Sequence, residues 1–305
     1  MSATNAISME GKILDGALLD ALDTLDLYVH QAKSGHFSGT RRSLAYGSSP
    51  EFADYRDYVP GDDLRRIDWN AAGRFDKYLI KRFMDEKQGR NCVYLDTSAS
   101  MGFPDEKGFT ALRLAAALGY LSVSNMDSVA FRLLSGRTCR ELCGRVSGRE
   151  AFFQAGSRLE EVQFHGDTDL GASIRSDINP GGDDGVTYII SDLLTDSDWR
   201  GAVDLLLSRR REVALIQVLS PKELNPTISG LNTLTDAEET GGRAARITLD
   251  VDRDALRAYQ ETVQGFLKEI RGFCASRDVP YLLINSSERV EDVLQTRGCM
   301  EELIR

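Results

Sequence analysis

Oxygen-bearing side chains recur at three places where strand-like or helix-like patterns break. Asp96-Thr97-Ser98-Ala99-Ser100 follows the apolar run Val93-Tyr94-Leu95. Gly166-Asp167-Thr168-Asp169-Leu170-Gly171 precedes a helical pattern, and Ser191-Asp192 closes the β-branched run from Val186 to Ile190. Asp96, Ser98, Ser100, Thr168 and Asp192 together offer two carboxylates and three hydroxyls, a hard oxygen set suited to Mg²⁺ or Mn²⁺. The spacing of two between Asp96, Ser98 and Ser100 lets one tight loop aim several side chains at one centre. An ion held by only two carboxylates keeps an open or water-filled position. Such an ion can accept a carboxylate from another protein.

The elements around these loops set whether they can meet. From residue 91 short apolar strands alternate with helical patterns. Strands are expected at 93–95, 128–134, 186–190, 213–219, 244–251 and 281–284, with a hairpin partner at 138–142. Helices are expected at 110–124, 150–159, 170–178, 199–209 and 254–276. Repeated βα units with continuous apolar strands imply a mostly parallel sheet covered by helices on both faces. In such sheets ligands bind beyond the C-terminal strand ends, where Asp96 and Asp192 fall. Upstream, residues 12–32 place Leu14, Leu18, Leu19, Leu22, Leu25 and Val29 on one helical face. Residues 33–50 have loop composition. Arg56, Tyr58, Asp62, Asp63, Arg65, Asp68 and Trp69 crowd the segment 56–69, whose Val59-Pro60-Gly61-Asp62 is a turn signal, and 78–84 reads as a strand.

Other chemistries fit less well. Asp-x-Ser-x-Ser alone is weak, because Asp and Ser favour turns anyway; Thr168 and Asp192 in the right order give it weight. An Asp after a parallel strand can be a phosphoryl-accepting nucleophile. Aspartyl-phosphate enzymes usually place a second Asp two positions on, where this chain has Ser98, and they need a lysine that these three loops lack. Cys139 and Cys143 lack a second pair to complete a zinc site. Gly181-Gly182 and Gly241-Gly242 read as turns, with no Lys-Ser or Lys-Thr to make a phosphate loop. His165 stands three residues before Thr168, at the rim of the candidate site or simply exposed to solvent. In segment 56–69 two readings stand: a structural one, with Trp69 in a core and Asp62 capping or paired with Arg65, and a partner-docking surface.

Asp-x-Ser-x-Ser after an apolar strand, a later Gly-x-Thr-x-Leu and a later strand ending in Asp resemble the metal-ion-dependent adhesion site of von Willebrand factor A domains. That resemblance covers about residues 90–300 and implies a doubly wound α/β fold with an N-terminal extension. Arg56-Asp57-Tyr58-Val59-Pro60-Gly61-Asp62-Asp63-Leu64-Arg65-Arg66-Ile67-Asp68-Trp69, followed by Asp96 to Met101, resembles the bacterial family known as domain of unknown function 58. Members of that family are often paired with a MoxR-type AAA+ ATPase. The resemblance implies a non-enzymatic adaptor or co-chaperone. A scaffold with a vestigial metal site is the alternative.

The bulk composition sets the frame. The 305 residues are 42% hydrophobic and 28% charged, enough for a sizeable core. A formal net charge of −10 argues against non-specific nucleic-acid binding. Five widely spaced cysteines read as reduced thiols. Neither a signal peptide nor the roughly 18 apolar residues of a membrane span is evident, so a cytoplasmic protein is expected. The expected division is an extension over 1–90 and an A-like domain over 91–300.

Overall fold

Strand β3 (Arg90–Asp96) shows why the central strands read as unbroken apolar runs. Cys92, Val93, Tyr94 and Leu95 are all buried, so both faces of the strand are covered. The computed structural model describes residues 12–34, 52–75, 77–83, 88–102, 107–177, 185–228, 230–235 and 246–296. They divide into two compact units, one within residues 31–88 and the other comprising 1–30 and 89–305. Helix α1 (Gly16–Ser34) thus starts in the larger unit, and the second boundary between the units falls at 88/89, beside the expected residue 90.

In the smaller unit β1 (Phe52–Asp57) pairs antiparallel with β2 (Leu79–Phe83), and α2 (Trp69–Phe75) lies between them in sequence. Pro60 and Gly61 make a turn closed by the Asp62 amide donating to the Val59 carbonyl at 3.0 Å. Gly61 has φ +110°, which a side chain would strain. Arg56 grips Asp62 with two bonds of 2.6 and 2.7 Å, so the Asp62 partner is Arg56 and not Arg65. Asp63 instead accepts the Arg65 amide at 3.0 Å. Asp68 is buried, accepts the Tyr55 hydroxyl at 2.7 Å and receives the Asn70 and Ala71 amides at the start of α2.

The larger unit continues from β3 through α3 (Ala99–Gly102), α4 (Lys107–Ser124), β4 (Ser128–Ser135), β5 (Thr138–Glu141), β6 (Val146–Ser147) and α5 (Arg149–Leu159). Next come α6 (Leu170–Ser176), β7 (Val186–Ser191), α7 (Trp199–Ser208), β8 (Glu212–Leu219) and α8 (Pro221–Leu224). A two-stranded antiparallel ribbon follows, β9 (Gly230–Thr235) with β10 (Arg246–Val251). The chain ends with α9 (Arg253–Ala275), β11 (Tyr281–Asn285) and α10 (Val290–Thr296).

The main sheet has the order β11-β8-β7-β3-β4-β5, with β6 also on β4. The five strands from β11 to β4 are parallel, and β5 and β6 add antiparallel pairs at the edge. Alternate residues feed two cores. Val93, Leu95, Tyr188 and Ile190 join α1, α4, α5 and α10 on one face. Cys92, Tyr94, Ile189 and Leu215 join α6, α7 and α9 on the other. The sheet is therefore doubly wound. Helix α1 belongs to it, because Leu18 and Leu22 are fully buried in the same core as Val93. Helix α4 lies close to the sheet at Gly119, where a Cβ would stand 2.5 Å from the Phe131 ring.

The predicted strands and helices from residue 91 onward match this order. The 244–251 strand is present, but as half of the ribbon with β9, which the sequence did not reveal. The 33–50 loop, except for its first two positions, and both Gly-Gly turns lie outside the described residues. No helix among the described residues is long and apolar enough to cross a membrane.

Candidate metal centre

The sheet order reverses around β3, because β4 follows on one side and β7 on the other. A crevice opens at such a reversal, beyond the C-terminal strand ends. Asp96 ends β3, and Ser191-Asp192 ends β7, so both carboxylates reach that edge. The third loop is tied in by backbone. The Ala99 amide donates to the Gly166 carbonyl at 2.7 Å and the His165 amide to the Thr97 carbonyl at 2.9 Å. Gly136 and Thr168 form an isolated parallel bridge, which fixes Thr168 beside the end of β4. Asp169 then caps α6 by accepting the Ala172 amide at 2.8 Å.

Asp96, Ser98, Thr168 and Asp192 are buried and Ser100 is half-buried. The Ser98 and Ser100 hydroxyl oxygens lie 3.0 Å apart. Asp96 accepts the Ser98 amide at 3.0 Å and the Ser191 hydroxyl at 2.7 Å. Ser191 Oγ in turn accepts the Leu193 amide at 2.9 Å. Leu193 has φ +58°, a strained conformation for a leucine, directly after Asp192. The Asp192 carbonyl accepts the Gln217 amide at 2.7 Å, and Gln217 is itself held by the Tyr281 hydroxyl at 2.6 Å. The turn after β7 is therefore anchored from β8 and β11.

Burial, and then the nearby Asp192 carboxylate, push Asp96 up to about 6. Two buried carboxylates close enough for one to raise the other, with the Ser98 and Ser100 hydroxyls in mutual contact on the same loop as Asp96, fit a hard divalent cation. Among the described residues no group of three or more His, Cys, Asp and Glu side chains is placed to share an ion. The carboxylates of the candidate centre number two, so an ion here would rely on hydroxyl oxygens and waters as well. His165 is exposed, and no side-chain contact ties it to the centre. Burial pushes the Cys92 and Cys139 thiols up to about 12, away from the thiolate that a soft metal needs.

Sequence reasoning missed Lys107. It stands at the first position of α4, outside the three loops, and is buried. Its Nζ lies 2.9 Å from Asp192 Oδ2 and 2.7 Å from Glu223 Oε1. Burial alone would depress this lysine, but Asp192 and Glu223 outweigh it and hold the ammonium above its ordinary value. A signal existed: a lysine in the first turn opposes the helix dipole, so it needs another reason to be there. Glu223 was also legible, as the last member of the Ser220-to-Glu223 capping box that starts α8.

Asp167, Asp169 and Asp196 border an open cleft of about 690 Å³ beside Thr168, together with Leu194 and Phe266. A second hollow of about 710 Å³, lined by Val186, Arg211, Cys274 and Tyr281, opens at the opposite end of the parallel strands. The segment 56–69 falls in the smaller unit. There Trp69 is 63% exposed, so it does not fill a core. It packs edge-on against Tyr78 at 6.2 Å, and Tyr58 does the same at 6.5 Å.

An uncharacterized protein of Mycobacterium tuberculosis (strain ATCC 25618 / H37Rv) is 27% identical over 270 residues, 87% of this chain and 84% of that protein. Among solved structures, an aerotolerance-related membrane protein from Bacteroides fragilis NCTC 9343, with multiple mutations to serines, is 15% identical. That likeness covers 68% of this chain and 96% of that one, with a TM-score of 0.39. A von Willebrand factor type A structure from Catenulispora acidiphila is 10% identical over 73% of this chain and 43% of its own, with a TM-score of 0.37. At these scores the fold description rests on the chain's own strand order. The profile of the family described as "Protein of unknown function DUF58" matches residues 54–265, more than two thirds of the sequence, and the chain belongs to that family.

Proposed function

We propose that this protein is a divalent-metal-dependent protein-binding module, and that it acts as an adaptor or co-chaperone of a MoxR-type AAA+ ATPase. The observation that supports the metal reading is that buried Asp96, held by the Ser98 amide and the Ser191 hydroxyl, lies near buried Asp192 at the sheet's switch point, with the Ser98 and Ser100 hydroxyls in contact on the same loop. Asp96, Ser98, Ser100, Thr168 and Asp192 would hold Mg²⁺ or Mn²⁺, directly or through waters. The bound ion would supply a positive charge for an acidic side chain of the partner. The ATPase partner follows from the family resemblance alone.

Binding is preferred to catalysis because Ser98 stands where aspartyl-phosphate enzymes usually carry a second Asp. Lys107 supplies the lysine that the three loops lack, yet its ammonium is engaged by two carboxylates of this chain, Asp192 and Glu223. One observation favours a scaffold with a vestigial centre: the Lys107 ammonium already neutralises Asp192 without any ion. Thermal unfolding with EDTA and with millimolar Mg²⁺ or Mn²⁺ separates the two. A ligand bound only by the native state at about 100 times its Kd adds roughly 2.7 kcal/mol. The binding reading expects that gain in wild type and none in Asp96→Ala. It further expects a MoxR-type ATPase of the same organism to be captured with metal and lost with EDTA. No gain in wild type moves the scaffold ahead.

A further inference from the structure

We propose that Lys107 is an intramolecular cation that competes with the divalent ion for Asp192, and that Glu223 weakens this competition by offering Lys107 a second seat. The inference rests on the metal reading above and says what sets the affinity of that centre. Lys107 is 1% exposed, so its charge is not diluted by solvent. Its Nζ bonds Asp192 Oδ2, while Asp192 Oδ1 accepts the Leu194 amide at 3.0 Å. An ion that uses Asp192 Oδ2 must share it with the ammonium or displace it, and one that uses the free lone pair of Oδ1 still faces the ammonium's charge across the same carboxylate. Displacement has a destination, because Glu223 Oε1 already lies 2.7 Å from the same nitrogen.

Glu223 is fixed independently of Lys107. Its other oxygen accepts the Ser220 amide at 2.7 Å, and its own amide donates to Ser220 Oγ at 3.2 Å. Its carbonyl receives the Tyr259 hydroxyl at 2.8 Å from α9. The seat is thus held by the end of β8 and by α9, and does not move with the β7 loop. Asp96, Asp192 and Glu223 against Lys107 leave two net negative charges, the charge of one divalent cation. Without an ion, Lys107 keeps the buried Asp192 paired; with one, it is retained on Glu223.

The test is calorimetric titration of MnCl₂ into the full-length wild type, Lys107→Met and Glu223→Gln, with folding checked by circular dichroism. Groups that support metal ligands typically change affinity by roughly 10–100-fold when altered. Removing the competing ammonium makes Lys107→Met bind Mn²⁺ at least tenfold more tightly than wild type. Glutamine can keep the capping contact, but Glu223→Gln no longer draws Lys107 away, so it binds about tenfold more weakly. An ordinary structural lysine predicts the opposite pattern, with Lys107→Met less stable and binding no tighter. That result, or unchanged affinity in Glu223→Gln, overturns the inference while wild-type binding leaves the metal reading intact. No heat from any of the three chains overturns both. If Lys107→Met does not fold, Glu223→Gln decides alone.

Discussion

Asp192 answers to two charges, and Asp96 to the protein's own dipoles. The Ser191 hydroxyl and the Ser98 amide both donate to Asp96, yet burial beside Asp192 still raises it. Buried carboxylates are tolerated when a cation or hydrogen bonds compensate them. The two acids, two serines and one threonine of this centre were legible because Asp and Ser at fixed spacing after a strand carry their meaning locally. Lys107 was not, because its partners lie 85 and 116 residues away in sequence. Trp69 marks a different limit. Its type suggests a core, but only the fold shows that it lies on the surface with Tyr78. Trp69→Ala should therefore cost no more than about 1.5 kcal/mol, the scale of one aromatic pair. A buried Trp truncated to Ala would lose roughly 3–5 kcal/mol. Chemical denaturation of the full chain distinguishes these, and a loss in the larger range would return Trp69 to a core.

Elements carry the centre by where they stop. Strands β3 and β7 end together at the point where the order reverses, so Asp96 at the end of one and Asp192 just after the other come to the same sheet edge. Periodicity revealed these strands because both their faces are buried. It failed at β9, whose exposed residues carry no apolar run and whose partner follows a long connection. It also failed to show to which unit α1 belongs, since an amphipathic face does not name what covers it. Leu22 is fully buried with Val93 and Tyr120 in one core. Leu22→Ala should cost about 2–5 kcal/mol in the main unfolding transition; a negligible effect there would detach α1 from that core. At the start of α1, Asp15 accepts the Leu18 amide at 2.8 Å and pairs with Arg113 at 2.8 Å. The Arg113 contact holds its carboxyl below the ordinary value of 3.8. A depressed carboxyl contributes stability that is present above that value and is lost as pH falls through its lowered one. Asp15→Ala should cost about 1 kcal/mol at neutral pH, with the gap to wild type closing as the pH drops below 3.8. A gap that stays constant through acid would refute the charge pairing.

At the scale of the whole molecule, an acidic chain of net charge −10 presents its candidate centre beside exposed Asp167 and Asp196. Such a face attracts cations, and under the proposed function a partner carboxylate would need the ion before it could approach. Fold class was readable from the chain because its central strands are buried on both faces, and the candidate carboxylates stood out because Asp96 ends β3 and Asp192 directly follows β7. The internal counter-charge was not, because it exists only once α4 and α8 are brought to one sheet edge. The most direct test is a calorimetric titration of Mg²⁺ and of Mn²⁺ into wild type and Asp96→Ala at neutral pH. One ion bound per chain in wild type, and none in the variant, is the result the centre predicts. No binding in wild type, or equal binding in Asp96→Ala, would contradict it.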